Sequence, residues 1–447
     1  MNNSRRSFIK KSACATAAVS IGSILPAFSA ASYNRIAGAN DMIRVASMGV
    51  NSRGLAVTQN FAKQKGCEIL YVCDVDSRAA EKCIKSVAGI AGKAPKNQPD
   101  FRKALEDKEV DVLMVAAPDH WHAPAAILGC KAGKHVYVEK PASHNPNEGE
   151  LLVKAAERYQ RIVQMGNQRR AWPNVINAIN EIKNGAIGKT YYAKGWYTNN
   201  RPSIGTGKVA PVPDWLDFDL WQGPAPRRQF KDNLVHYNWH WFWHWGTGEA
   251  LNNGVHMVDL ARWGLGVDYP NKVSSFGGRY SFNDDWETPD TQIINLDFGD
   301  KGIISWEGRS CNPAQIEGAA TGVIFYGDRG NLMIDAGNSY KIFDKGKNLV
   351  KEVKHTDNID VSNVQNPSEL LDAGHIVNFF NAIRKSEKLH SPISVGRVST
   401  LLVQLGNISL RTGQTLRINP ANGRIINNKA ANKLWSRKYE RGWEVTV

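Results

Sequence analysis

The sequence predicts an α/β protein in two parts, a doubly wound parallel sheet followed by a second, strand-rich domain. Three observations carry that expectation. Between Ile43 and Met165, short apolar runs alternate with helix-period segments, as in a sheet wound from strand–helix units. The turn Gly49–Val50–Asn51–Ser52–Arg53–Gly54 joins the first run to the first helix and is a variant of the dinucleotide fingerprint. Beyond Lys189 the runs instead alternate apolar and polar residues, the pattern of half-buried strands.

The chain has 447 residues, 42% of them hydrophobic, enough for two globular domains with ample core. Its formal charge of +14 includes Arg5, Arg6, Lys10 and Lys11 at the N-terminus, and the other basic residues are scattered among acids. That dispersal gives no nucleic-acid footprint, and no such partner is expected. The six cysteines show no CxxC or zinc spacing, so free, mostly buried thiols are expected.

Residues 1–31 read as a twin-arginine export signal. Ser4–Arg5–Arg6–Ser7–Phe8–Ile9–Lys10 is followed by a weakly apolar run from Ala13 to Ala27 and by small residues around Ser29–Ala31. The expected location is the periplasm, with no membrane insertion after cleavage, because no later stretch is apolar enough to span a bilayer. This export route carries folded proteins. A dinucleotide acquired before export is not exchanged outside, so the chemistry must restore it within each cycle.

Ile43–Gly49 is the first expected strand and Leu55–Lys65 the first helix. Gly49 permits the tight turn, Gly54 the close approach of helix and strand, and Asn51 tolerates left-handed backbone angles. The pyrophosphate would then sit on the helix N-terminus. Glu68–Asp74 is a second strand, ending in an acid twenty residues after Gly54. A carboxylate there accepts from ribose hydroxyls and repels a 2′-phosphate, which favours NAD over NADP. Asp76 is a second candidate for that role. Val110–Ala116 is the next strand, ending in Ala117–Pro118–Asp119–His120–Trp121–His122. A helix over Ala123–Ala132 leads to His135–Val136–Tyr137–Val138–Glu139–Lys140–Pro141, a buried strand stopped by a proline. Lys140 therefore lies at the carboxyl end of a sheet strand, where open α/β sheets bind ligands.

These segments, above all Glu139–Lys140–Pro141, resemble the Gfo/Idh/MocA family of oxidoreductases over essentially the whole chain after the signal. The resemblance implies a Rossmann-type nucleotide domain, residues 41–166, and a substrate and oligomerisation domain, residues 167–447. The latter would carry a large open-faced, mostly antiparallel sheet, and its uncovered face implies a homo-oligomer, a dimer or tetramer. It places Lys140 beside the nicotinamide and the substrate, with the Pro118–His122 loop lining the pocket. The implied cofactor set is Gly49, Asn51, Ser52, Arg53, Gly54, Asp74, Pro118, His120, Trp121, His122, Glu139, Lys140 and Asn167.

After a helix over Asn147–Tyr159, a strand over Arg161–Met165 and a helix over Asn174–Lys183, strands are expected at 189–197, 272–280, 290–298, 302–308, 322–326 and 331–334. Between the first two lies a long excursion rich in tryptophan. Flat indoles suit the C–H face of a sugar ring, and His, Asn and Tyr can bond its hydroxyls. Arg201, Tyr237, Trp239, His240 and Trp243 are the expected substrate contacts. His236, His240 and His244 recur every four residues, but interleaved tryptophans and the lack of an acid pattern argue against a metal. Gly246–Leu260 resembles the family's Asp-x-Gly-x-His-x-x-Asp helix start. His256 matches its catalytic histidine, and Asn252 stands where many members carry Asp. Asp259, three residues on, is expected to orient the imidazole. Lys140, His256, Asp259 and Asn252 form the expected catalytic set. The functional expectation is an NAD-dependent oxidoreductase acting on a sugar hydroxyl. The alternatives are a redox-neutral glycosidase or lyase working through transient oxidation, and a sugar-binding protein whose redox chemistry has lapsed.

Overall fold

The computed structural model describes residues 42–355 and 369–447. The expected export signal, residues 1–31, lies outside them, as does residue 41, where the nucleotide domain is expected to begin. Five cysteines are described and all are free thiols, with Cys73, Cys83 and Cys130 buried. Among the described residues no helix is long and apolar enough to cross a membrane.

Six parallel strands build the first sheet: β1 (Ile43–Met48), β2 (Cys67–Cys73), β3 (Lys96–Asn97), β4 (Val112–Val115), β5 (His135–Val138) and β6 (Val163–Met165). Their order is β3-β2-β1-β4-β5-β6, with all pairs parallel. The strand order reverses between β1 and β4, so the loops after these two strands open a crevice at the carboxyl edge. β4 is buried along its whole length and β5 over Val136–Val138, which explains their unbroken apolar sequences. The crossovers are helical: α1 (Arg53–Ala62), α2 (Ser77–Ala91), α3 (Phe101–Glu106), α4 (Asp119–Lys131) and α5 (Pro146–Arg158). Helix α4 begins four residues earlier than expected. Pro118 is its N-cap residue, and Asp119–His122 form its first turn.

After α6 (Pro173–Lys183), strand β7 (Thr190–Asn200) opens the second sheet. With β8 (Lys272–Gly278), β9 (Thr291–Asp297), β10 (Ile303–Arg309), β11 (Cys311–Asn312), β12 (Thr321–Gly327), β13 (Gly330–Ile334), β14 (Tyr340–Asp344), β15 (Leu349–Val353) and β16 (Leu416–Arg417) it is mostly antiparallel, β10 alone pairing β7 in parallel. Ala193, Ile294, Ile304 and Phe325 face the core beneath α8 (Val255–Leu265) and α10 (Ile393–Thr412). The opposite face carries Phe276 and Ile293, which are exposed and paired, and the stacked Tyr192 and Tyr326.

The excursion does not fold as a simple sugar platform. Around α7 (Phe218–Gln222), residues Leu216, Phe218, Trp221, Phe230, Leu234, Phe242 and Trp245 pack into a small core of their own. Much of its aromatic content is therefore structural. The final segment returns to the first sheet: Trp443 meets Trp121 edge-on at 5.2 Å, and Val445 and Val447 pack against the same core.

Candidate active site

Gly49 has φ 75°, and a Cβ there would come within 2.5 Å of Ala117 N; a Cβ at Gly54 would collide with Gly49 O. Both glycines are thus required for close packing of the first turn against the loop after β4. The left-handed angle falls on Ser52, φ 48°, and not on Asn51, whose Oδ1 instead accepts from Ser52 N. The side chain of the N-cap residue Ser52 makes no capping bond, which leaves the N-terminus of α1 for an anion. Asp74 accepts from Val50 N at 2.6 Å and from Asp76 N at 2.9 Å, so it shapes the turn while lining the cleft. Burial raises its carboxyl above the usual range. Asp76, not Asp74, is the N-cap of α2.

The cleft encloses about 270 Å³ and runs without interruption from Asp74, past Pro118, Trp121 and His122, to Lys140, Asn252 and His256. Glu139 lies on its wall but accepts from Arg53 Nε at 3.0 Å. Lys140 Nζ donates to Asn252 O at 2.5 Å and to Asn252 Oδ1 at 3.1 Å. Burial lowers the lysine's pKa, an effect that Glu139 and Asp119 oppose. His256 is 4% exposed, with Nδ1 buried and unpartnered among the described residues. Burial, with Lys140 and Arg169 nearby, pushes its pKa well below that of a free histidine. Tyr237, Trp239 and His240 form the wall facing Lys140, and Tyr237 Oη accepts from Asn252 Nδ2 at 3.4 Å.

Several expected roles are corrected. Arg53 lines the cleft as expected, but its guanidinium is also held by Asp372 at 2.6 Å and by Glu139, and so braces the turn. His120 is fully buried, with Nε2 3.0 Å from Trp221 O, and does not line the cleft. His122 lines it, but its two nitrogens lie 2.6 and 2.7 Å from Pro141 O and Ala117 O, tying two loops together. Asp259 does not orient His256: both its oxygens accept from Arg170, at 2.7 and 2.9 Å, and Ser399 adds a third bond. The helical spacing allows the histidine contact, but a guanidinium from a neighbouring segment presents two donors in carboxylate geometry. Trp243 packs under the Arg411 guanidinium, outside the cleft. Arg201 stands in a second layer, bound to Glu249 at 2.5 Å.

The sequence reading missed Asp119, Glu249 and Asp372, which are buried carboxylates, and His236 as a cleft residue. His236 Nε2 lies 2.7 Å from Asp76 Oδ2, and the Arg78 guanidinium lies 3.4 Å from the Trp215 ring centroid. Asp217 N donates to Val75 O at 3.0 Å and Ser77 N to Trp215 O at 3.0 Å. The excursion thus crosses the Asp74 end of the cleft as a strap. No cluster of three or more metal-ligating side chains occurs among the described residues.

A dinucleotide fits these residues. The two glycines leave no room for side chains at the turn; Asn167, expected at the cofactor, is buried and does not line the cleft, but its neighbour Gln168 does, 3% exposed with Oε1 unpartnered among the described residues. A buried amide in that state lacks the partners that such groups normally have, and a ligand's carboxamide or hydroxyl would supply them.

Fold and cleft together define a dinucleotide-binding α/β protein of the oxidoreductase type. Sequence models of one family match most of the chain: its NAD-binding Rossmann domain over residues 43–167 and its C-terminal α/β domain over 196–445. The chain belongs to the Gfo/Idh/MocA oxidoreductase family. It is 26% identical over 213 residues to a glycosyl hydrolase family 109 protein of Shewanella baltica, a match covering 44% of this chain and 46% of that protein. It is 24% identical, with the same coverage, to an alpha-N-acetylgalactosaminidase of Shewanella oneidensis. The chain spans about half the length of the curated relatives it matches. Its fold is similar to levoglucosan dehydrogenase solved with NADH and levoglucosan (TM-score 0.65, 17% identity, 84% of this chain and 99% of that one). It is also similar to the aldose-aldose oxidoreductase of Caulobacter crescentus (TM-score 0.63, 15% identity, 84% and 100%).

Proposed function

We propose that the protein oxidises a hydroxyl of a sugar or sugar derivative, using an NAD that stays bound between turnovers. The observation that carries this reading is the single cleft that joins Asp74 and the glycine turn to Lys140, His256 and a wall of Tyr237, Trp239 and His240. Bound NAD supplies a hydride acceptor. Lys140 Nζ takes the hydroxyl proton, and His256 bonds the same hydroxyl or its neighbour. Trp239 offers an apolar face to the ring, and Tyr237 and His240 bond its hydroxyls. The strap over the Asp74 end supports retention, and a second sugar or carbonyl compound would then reset the cofactor. The twin-arginine motif supports a periplasmic site of action, and the exposed Phe276–Ile293 face supports a homo-oligomer.

A second reading is a redox-neutral glycosidase or lyase that oxidises, eliminates and returns the hydride. The similarity to family 109 glycosyl hydrolases favours it. Mass spectrometry of nucleotide released from the purified protein, with turnover of sugar pairs, tests the first reading. Protein without nucleotide and without affinity for NAD would end it. Cleavage of a chromogenic glycoside with no net NADH, and with solvent deuterium entering the ring, would select the second. Lys140→Ala should abolish either activity.

A further inference from the structure

Glu249 is a carboxylate only 3% exposed, reached by donors from three parts of the chain. Arg201 donates from Nε at 2.5 Å and from Nη2 at 3.3 Å, and Ser310 Oγ donates at 3.1 Å. Asn252 Nδ2 donates at 3.2 Å, and Asn253 Nδ2 donates to the same oxygen. Asn252 and Asn253 sit on a single π-helical turn, Ala250–Gly254, directly before α8. Such turns recur at functional sites because the extra residue re-aims side chains.

The carboxamide of Asn252 has one permitted orientation. A carboxylate only accepts, so Nδ2 must face Glu249; the Lys140 nitrogen donates, so Oδ1 must face Lys140. Two acceptors, Asn252 O and Oδ1, match the two N–H bonds of a neutral amine. The remaining tetrahedral position of Nζ is left to the cleft, and in a neutral amine it is a lone pair. Lys140 has no carboxylate at ion-pairing distance among the described residues. The charged or titratable groups around it are Glu139, Asp119, Arg53, Glu249, His122, Tyr237, His240 and His256.

We propose that Glu249 is a positioning residue: it locks the Asn252 carboxamide so that Lys140 meets an amide in place of an acid and serves as a neutral general base. This deepens the hydroxyl-oxidation reading and rests on it for the meaning of the base. The protonation state itself is tested without turnover.

The experiment follows the pH dependence of Lys140 acetylation by limiting acetic anhydride. It is read by mass spectrometry against exposed lysines, in protein as purified and in variants. The double variant Glu249→Gln/Asn252→Asp keeps the net charge and moves the carboxylate into contact with Lys140. Its labelling midpoint should rise by about one to three pH units. In an active preparation the acid limb of kcat/KM should rise with it. Glu249→Gln alone frees the amide, and kcat should fall at least about tenfold with KM little changed. Unchanged labelling midpoints in the folded double variant overturn the inference, whether or not any sugar is turned over. A midpoint already at the ordinary lysine value in the parent protein overturns it as well. If Glu249→Gln does not fold, Asn252→Leu removes the Oδ1 acceptor and should lower the midpoint; an unchanged or raised midpoint would count against the proposal.

Discussion

Arg53 Nη1 lies 2.6 Å from Asp372 Oδ2, joining the nucleotide turn to a helix more than three hundred residues later, α9 (Glu369–Lys385). Asp372 is 3% exposed and Arg53 also holds Glu139. The turn, the Glu-Lys-Pro segment and α9 are therefore one buried unit. Removing one partner of a buried pair leaves the other poorly compensated. Asp372→Ala should lower unfolding stability by about 3 kcal/mol and weaken NAD binding. Chemical denaturation and nucleotide titration check both, and an unchanged denaturation midpoint would refute the brace.

Asp259 is held by Arg170 and Ser399, and His256 has no share in it. Burial by itself would raise its carboxyl, but the Arg170 guanidinium outweighs that and holds it below the usual range. Asp259→Asn should reduce stability by about 2–3 kcal/mol while leaving kcat of the folded fraction within about threefold. A hundredfold loss of kcat in well-folded protein would restore Asp259 to the catalytic set.

The strap gives an acid-sensitive contact. Burial would raise Asp76, but hydrogen bonds from Arg78 and His236 outweigh it and bring its pKa down to about 2, from 3.8 for an ordinary aspartate. A depressed carboxyl contributes stability above its unfolded pKa and loses it as pH falls through the folded one. The contribution should therefore be intact above pH 4 and vanish towards pH 2. His236→Ala should remove part of it and speed nucleotide release at neutral pH, measured by the rate at which labelled NAD exchanges. Exchange no faster than in the parent protein would dismiss the strap.

Trp121 lines the cleft and its outer edge meets Trp443, which also stacks under Arg102. Trp443→Ala should cost about 2 kcal/mol and weaken NAD binding more than sugar binding. Equal loss of both, by calorimetry, would show a general rather than a local effect.

Much of the site was legible because its residues sit at strand ends. Gly49, Asp74, Glu139 and Lys140 each follow an apolar run, and a parallel sheet brings such positions to one edge. His256 was found by its surrounding motif. The partners were harder to foresee. Asp259 lies at the right helical spacing to reach His256, yet the choice between imidazole and guanidinium depends on where Arg170 falls. Trp243 and Trp239 look alike in sequence, and only packing sends one under Arg411 and the other to the cleft.

By itself, then, the sequence determined the two-part architecture, the dinucleotide turn and the lysine at the end of β5, because hydrophobic period and turn chemistry act over a few residues. The tertiary structure alone decided how the buried charges pair. Arg53 with Asp372, Arg201 with Glu249 and Arg170 with Asp259 are long-range choices, made where desolvation penalises any charge left without a close partner of opposite sign.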